Sequence, residues 1–220
     1  MKQSIFISRD LSADSILLQF LNANDWDVHY QSLIRIEPIP FVIEEEYDWI
    51  FIASSNGAKL LLNSFSVPET TKVGVVGEAT ARAVKSFGIF PDFIGKTGNM
   101  IELGDLLART IGKSSVLFVG AEGGSEKVRS AIPSNQRTFL PIYRTILAEN
   151  ITIPETEIVF LTSPSNAKSY LKNASLTEKK VIAIGNTTAK YLLDCMITYI
   201  HIPMSPTEEH TVELINKLFQ

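Results

Sequence analysis

The chain has 220 residues, 45% of them apolar and 20% charged, and a formal net charge of −4 at pH 7. That length allows one large or two small domains around a real hydrophobic core. No apolar run approaches the roughly eighteen residues needed to cross a bilayer, and no Lys/Arg cluster is dense enough for a duplex-binding surface. The single cysteine, Cys195, rules out an intramolecular disulfide framework. Arg9 and Asp10 fall where a signal peptide would still be apolar, so the expected compartment is the cytoplasm, with neither membrane nor nucleic acid as partner.

Taken in chain order, IFIS at 5–8 reads as a strand and LSADSILLQFLNAN at 11–24 as an amphipathic helix. VHYQSLIRI at 28–36 reads as one further strand. The Pro-bearing IEPIPF at 36–41 then reads as a crossover linker. Two similar blocks follow. DWIFIASSNGAKLLL, from Asp48, matches EIVFLTSPSNAKSYL, from Glu157. KVGVVGEATARAVKSFG, from Lys72, matches KKVIAIGNTTAKYLLDC, from Lys179, with Gly77 and Thr80 aligned to Gly185 and Thr188. Each copy continues into a short strand, PDFIG at 91–95 or TYIHIP at 198–203, and then an amphipathic helix. Between the copies, SSVLFVG at 114–120 and RTFLPIYR at 137–144 read as strands, and SEKVRSAI at 125–132 as a helix.

The chain therefore contains two related β-α-β-α-β units. Continuous apolar strands alternating with helices predict parallel sheets covered on both faces, near ten strands in all. If each copy is a complete unit, residues 37–145 form one domain and residues 1–36 with 146–220 form the other. The stretch YRTILAENITIPE, from Tyr143, is the return linker. Two adjacent linker strands and a cleft between the halves are expected from that division.

Ligands of open α/β sheets gather at the carboxyl ends of the strands. Those ends carry Ser54-Ser55-Asn56-Gly57, Gly77-Glu78-Ala79-Thr80, Thr162-Ser163-Pro164-Ser165 and Gly185-Asn186-Thr187-Thr188. Any one of these turns is most simply a helix cap. Four together offer backbone N–H groups and positive dipole ends suited to a ligand rich in carboxylates or phosphates. Gly120-Ala121-Glu122-Gly123-Gly124 lacks both the ending of a P-loop and the spacing of a dinucleotide fingerprint. The three histidines do not show metal-ligand spacing, Cys195 reads as a packing residue, and the acidic clusters read as solvated surface. Tyr143, at a strand end on the return linker, is either a half-buried packing group or a proton donor over a cleft.

With these residues in view, the chain resembles the uroporphyrinogen-III synthase family over nearly its whole length. The resemblance rests on Arg9 closing the first strand, the strand-turn blocks ending at Ser54 and Ser163, and Gly77 to Thr80 followed by Ala81. It rests further on Tyr143-Arg144-Thr145, on Lys180 leading into Ala183-Ile184-Gly185-Asn186-Thr187-Thr188-Ala189, and on Ser205-Pro206-Thr207. It implies an α/β fold of two flavodoxin-like parallel-sheet domains joined by a two-stranded linker, one domain being discontinuous. It also implies a lyase that closes hydroxymethylbilane into uroporphyrinogen III, inverting the last pyrrole ring, without cofactor or metal. Tyr143 would assist departure of the hydroxyl, and Arg9, Ser54, Thr80, Ser163, Lys180, Thr187 and Thr188 would bind the substrate. A monomer is expected, with transient contact to the preceding pathway enzyme. Two positions depart from the family pattern: Val119 stands before Gly120 where an Arg is frequent, and Ala53 before Ser54 where a Thr is usual. Lys127 or Arg129 would replace the missing contacts. The competing reading is a two-domain anion-binding protein without turnover.

Overall fold

A computed structural model describes residues 2–219. Among them the chain runs β1 (Ser4–Ile7), α1 (Ile16–Ala23), β2 (Asp27–Tyr30) and β3 (Ile34–Pro38). It continues through β4 (Trp49–Ile52), α2 (Ser55–Leu62), β5 (Lys72–Val75), α3 (Glu78–Lys85), β6 (Phe93–Ile94) and α4 (Met100–Ile111). Next come β7 (Val116–Ala121), two short 3-10 turns (Arg129–Ala131 and Ser134–Gln136) and β8 (Arg137–Leu147). The last part holds β9 (Ile158–Leu161), α5 (Pro164–Asn173), β10 (Lys180–Ala183), α6 (Asn186–Asp194), β11 (Ile200–His201) and α7 (Glu208–Phe219).

Two compact units emerge, Met1–Arg35 with Ile146–Gln220, and Ile36–Thr145. The first holds a parallel sheet ordered β11-β10-β9-β1-β2. Numbered by appearance in that unit and read from β2, this is the 2-1-3-4-5 order of flavodoxin-like folds. The second sheet is ordered β3-β8-β7-β4-β5-β6, with β4 to β8 paired in parallel. Leaving β3 aside, it is the same arrangement entered by the chain at its central strand: β4, β5 and β6 stand where β9, β10 and β11 stand in the first unit. The linker strands β3 and β8 run antiparallel, since Ala148 N–H donates to Leu33 C=O and Ile39 N–H to Ile142 C=O.

Strict alternation sends successive strand residues to opposite faces. In the first unit Phe6, Val159, Leu161, Val181 and Ala183 meet α5 and α6 through Ala167, Tyr170 and Leu192. Their neighbours Ile5, Ile7, Ile158, Phe160 and Ile182 meet α1 and α7 through Leu17, Leu21 and Ile215. The second unit repeats the scheme, with Ile50, Ile52, Val73 and Val75 under α2 and α3, and Trp49, Phe51 and Phe118 under α4.

Three expectations are corrected. Residues 28–36 are not one strand but two, β2 in the first sheet and β3 in the second. The break falls at Leu33, which is fully buried and whose N–H is taken by the Asn166 Oδ1 at 2.9 Å. The strand number among the described residues is therefore eleven rather than ten. Finally, residues 125–132 form no α-helix; only Arg129–Ala131 makes a 3-10 turn. The backbone there lies directly on Gly104 of α4, where an added Cβ would sit 2.9 Å from the Val128 carbonyl oxygen. Gly123, at φ +68°, turns the chain just upstream.

Candidate functional site

In the second unit the end of β4 delivers Ser54, whose extended backbone and short hydroxyl make it the N-cap of α2. Its Oγ accepts from the Gly57 N–H at 2.9 Å and lies 2.8 Å from the hydroxyl oxygen of Tyr143. Tyr143 is 5% exposed, so its ring belongs to the core while its oxygen ends on the cap. The register of β7 against β8 slips between Gly120 and Ala121, so Ala121 faces Tyr143 after Gly120 faces Pro141. Ile142 is the extra residue of this bulge, and Ile142 and Tyr143 both join the cluster under α2 and α3. Without the slip, alternation would aim them to opposite faces.

Beside Tyr143, at the carboxyl ends of the same strands, is a pocket of ≈ 160 Å³ whose walls include Ala53, Val76, Phe118, Gly120 and Arg129. An added Cβ at Gly120 would approach Ala53 Cβ to 3.4 Å, so Ala53, one of the two departures from the family pattern, lies at a close approach of β4 and β7, next to Val119, the other. Arg129 has a side chain only 15% exposed, with its guanidinium carbon 3.9 Å from the Phe139 ring centroid and one nitrogen 2.6 Å from Glu126. It supplies a stacked cation to the pocket wall. The adjacent α3 starts at Gly77 with no side-chain cap, leaving its first N–H groups open to an acceptor. Thr80, in that first turn, is buried and has no side-chain hydrogen bond among the described residues. No fully enclosed side-chain oxygen lacks a partner among those residues, so the Thr80 hydroxyl keeps an opening outward.

The first unit, taken by itself, has equivalent turns. Ser163 is the N-cap of α5 and accepts from the backbone N–H and the side-chain amide of Asn166, both at 3.1 Å. Next to it the Ser8 and Thr162 hydroxyls are 3.2 Å apart, and Thr162 N–H donates to Ser8 Oγ at 2.9 Å. Helix α6 begins at Gly185 with no side-chain cap and no acidic residue in its first turn. Its N-terminus is therefore more favourable to an anion than that of α3, which carries Glu78. Thr187 on that turn is exposed, while Thr188 is buried and, like Thr80, has no side-chain partner among the described residues.

Two expected substrate residues are engaged or placed differently. Lys180 is the first residue of β10, at the amino end of the strand, whereas Thr187 and Thr188 follow its carboxyl end. Arg9 does follow the carboxyl end of β1, but it is ion-paired with Glu208 of α7. The other oxygen of that carboxylate accepts from Ser15 Oγ at 2.8 Å and from the Leu17 N–H at 3.1 Å. Glu208, expected with Glu209 to be solvated surface, is instead partly buried in this ion pair, and neither Ser8 nor Gly57 stands out in the sequence as a site residue. Ser8 immediately follows an apolar strand, which was a usable signal; the other two are defined by partners remote in the chain. Among the described residues no group of three or more His, Cys, Asp or Glu side chains is placed to hold a metal ion. No helix there is long and apolar enough to cross a membrane.

The family model described as Uroporphyrinogen-III synthase HemD matches residues 17–213. The chain belongs to this family. Among curated members, the porphyrin biosynthesis protein HemD of Ruminiclostridium josui is 29% identical over 199 residues, covering 80% of this chain. The chain spans only 38% of that relative's length. Uroporphyrinogen-III synthetase from Helicobacter pylori 26695 has the same fold, with a TM-score of 0.70 at 19% identity over 99% of this chain and 100% of that one. A mutant uroporphyrinogen III synthase from the extremely thermophilic bacterium Thermus thermophilus gives 0.68 at 13% identity, over 98% of both chains. The two-domain parallel α/β architecture is thus that of the uroporphyrinogen-III synthase family.

Proposed function

We propose that this chain closes hydroxymethylbilane into uroporphyrinogen III with loss of water, as a lyase of tetrapyrrole synthesis. The observation that carries the reading is the Tyr143 hydroxyl held 2.8 Å from Ser54 Oγ, at a residue that also lines the pocket containing Arg129. The phenol donates its proton to the departing hydroxyl, which leaves as water while a pyrrole nitrogen supplies the electron pair, giving an azafulvenium cation and a phenolate at Tyr143. The substituted carbon of the last ring attacks the exocyclic carbon of that cation to give a spiro centre, and the bond from that carbon to its original bridging methylene then breaks. The freed methylene re-bonds to the ring's unsubstituted α-carbon, whose proton returns to the Tyr143 phenolate, and the ring is left inverted.

Hydroxymethylbilane also ionises and closes unaided, without inversion, so the task is one of orientation. A barrier difference of about 3 kcal/mol already favours one product by about a hundredfold. The open N-termini of α3 and α6, the hydroxyls of Thr80, Thr187 and Thr188, and the Arg129 cation are donors suited to the carboxylates of such a substrate. Ser163 accepts from Asn166 at its Oγ, which fixes the α5 turn and leaves its own hydroxyl proton as a further donor to the substrate. The reading extends to a cytoplasmic monomer that needs no cofactor and takes its substrate from the preceding enzyme. Residues 1–36 with 146–220 would act as one domain and 37–145 as the other.

The test is isomer analysis of the porphyrin formed from freshly prepared hydroxymethylbilane. The inverted isomer should dominate only when the protein is present. An unchanged excess of the uninverted isomer would leave a binding protein as the remaining interpretation.

A further inference from the structure

The two copies of the repeat diverge at one position with a geometric consequence. Ser54 and Ser163 are equivalent N-caps, and the residues three places on are Gly57 and Asn166. In the first unit the Asn166 side-chain amide donates to Ser163 Oγ at 3.1 Å, and its Oδ1 accepts from the Leu33 N–H at 2.9 Å. The space over that cap is filled by the helix's own side chain. In the second unit Gly57 leaves the equivalent space empty, and the Tyr143 phenol takes it.

A Cβ added to Gly57 would lie 3.1 Å from Ser54 Oγ and 3.7 Å from Cε1 of Tyr143. The first distance is too short to be comfortable, and any larger side chain would have to displace the phenol from the cap. Gly57 is helical and does not lie in the left-handed region, so nothing in the backbone requires glycine there. Helix propensity in fact favours alanine at such a position. Its use is explained by the room it leaves for the ring.

We infer that Gly57 is a positioning residue: by leaving the third position of α2 bare, it lets Tyr143 dock on Ser54 Oγ in the orientation the reaction uses. Ser54 is then the second half of the device. Its lone pair is engaged by the Gly57 N–H, so its own proton remains available to the phenol oxygen once that oxygen has given up a proton. This inference rests on the proposed synthase reading for its catalytic consequence, but the docking itself does not.

The experiment is a double-mutant cycle between Gly57→Asn, which copies the twin unit, and Tyr143→Phe, with Gly57→Ala as the milder variant. Gly57→Asn should lower kcat about a hundredfold, as expected for a misplaced reacting group, with KM shifting far less. Gly57→Ala should lower kcat about tenfold while its melting temperature stays level or rises, a split that a purely structural role would not give. In the Tyr143→Phe background both substitutions should cost nothing further. Equal losses in both backgrounds, or full activity in Gly57→Asn, would overturn the inference. If Gly57→Asn does not fold, Gly57→Ala carries the same cycle. If the wild-type protein makes no inverted isomer, the synthase reading fails; the same cycle read by denaturant unfolding then decides the docking, where coupling supports it and strict additivity refutes it.

Discussion

Arg9 and Glu208 form an ion pair across 199 residues of chain, joining the end of β1 to the first turn of α7. The Glu208 carboxylate also accepts from Ser15 and the Leu17 N–H, so one side chain neutralises Arg9 and completes the cap of α1. Arg9 thereby ties the end of β1 to α7 within its own unit. Glu208→Ala should cost about 1–2 kcal/mol, because it removes a charge-assisted acceptor and leaves a part-buried guanidinium unpaired. Urea unfolding measures this. A loss of substrate affinity without loss of stability would instead return Arg9 and Glu208 to the substrate site.

Tyr143→Phe keeps the ring in the core and removes only the hydroxyl. Turnover should fall by about 10²-fold, the lower range of general acid contributions, with KM little changed. The residual product should still contain the inverted isomer, because orientation is supplied by other groups. Steady-state kinetics with isomer analysis reads both; kinetics equal to the wild type would remove Tyr143 from the mechanism.

Asn166→Ala should be costly in the first unit. It strips the acceptor from the buried Leu33 N–H and a donor from Ser163 Oγ. Leaving a buried backbone donor unpaired costs about 1–3 kcal/mol. The midpoint of chemical denaturation should drop accordingly, and a shift under about 0.5 kcal/mol would mean the segment relaxes to another partner.

Arg129→Gln keeps a planar polar group but removes the cation from the pocket wall. If that cation meets a substrate carboxylate, KM should rise about tenfold, equivalent to about 1.4 kcal/mol. The isomer ratio should change less than KM. An unchanged KM at low ionic strength would leave Arg129 as the partner of Phe139 and Glu126 only.

Tyr170 gives a pH dependence of known sign. It is 1% exposed, and burial, with a smaller contribution from Glu155, pushes its phenol from 10.0 up to about 12. The folded state therefore favours the protonated form. Its contribution is fully present below pH 10 and is lost as pH rises toward 12, by about 2–3 kcal/mol at most. Unfolding at a series of pH values should show a shallower alkaline decline for Tyr170→Phe than for the wild type. Parallel curves would place the decline elsewhere, as at Tyr191, whose phenol is also raised to about 12.

Much of the architecture was written in the chain's periodicity. Four-residue apolar runs such as WIFI and IVFL can be buried only on both faces, and they alternate with segments of helical spacing, so a parallel α/β arrangement follows from local pattern. The duplicated turns announced Ser54, Ser163, Thr80 and Thr188 as one class of residue, because a cap or first-turn role is set within a few positions of the chain. What the residues do with those roles depends on partners far away. Ser54 meets Tyr143 across 89 residues, and only because β8 joins the sheet beside β7 and slips at Gly120. Arg9 is claimed by Glu208, and the break in 28–36 is fixed by Asn166, through contacts that no local pattern encodes. Side-chain chemistry and spacing determined the candidates; strand order, one bulge and one missing Cβ at Gly57 decided which cap would hold the phenol.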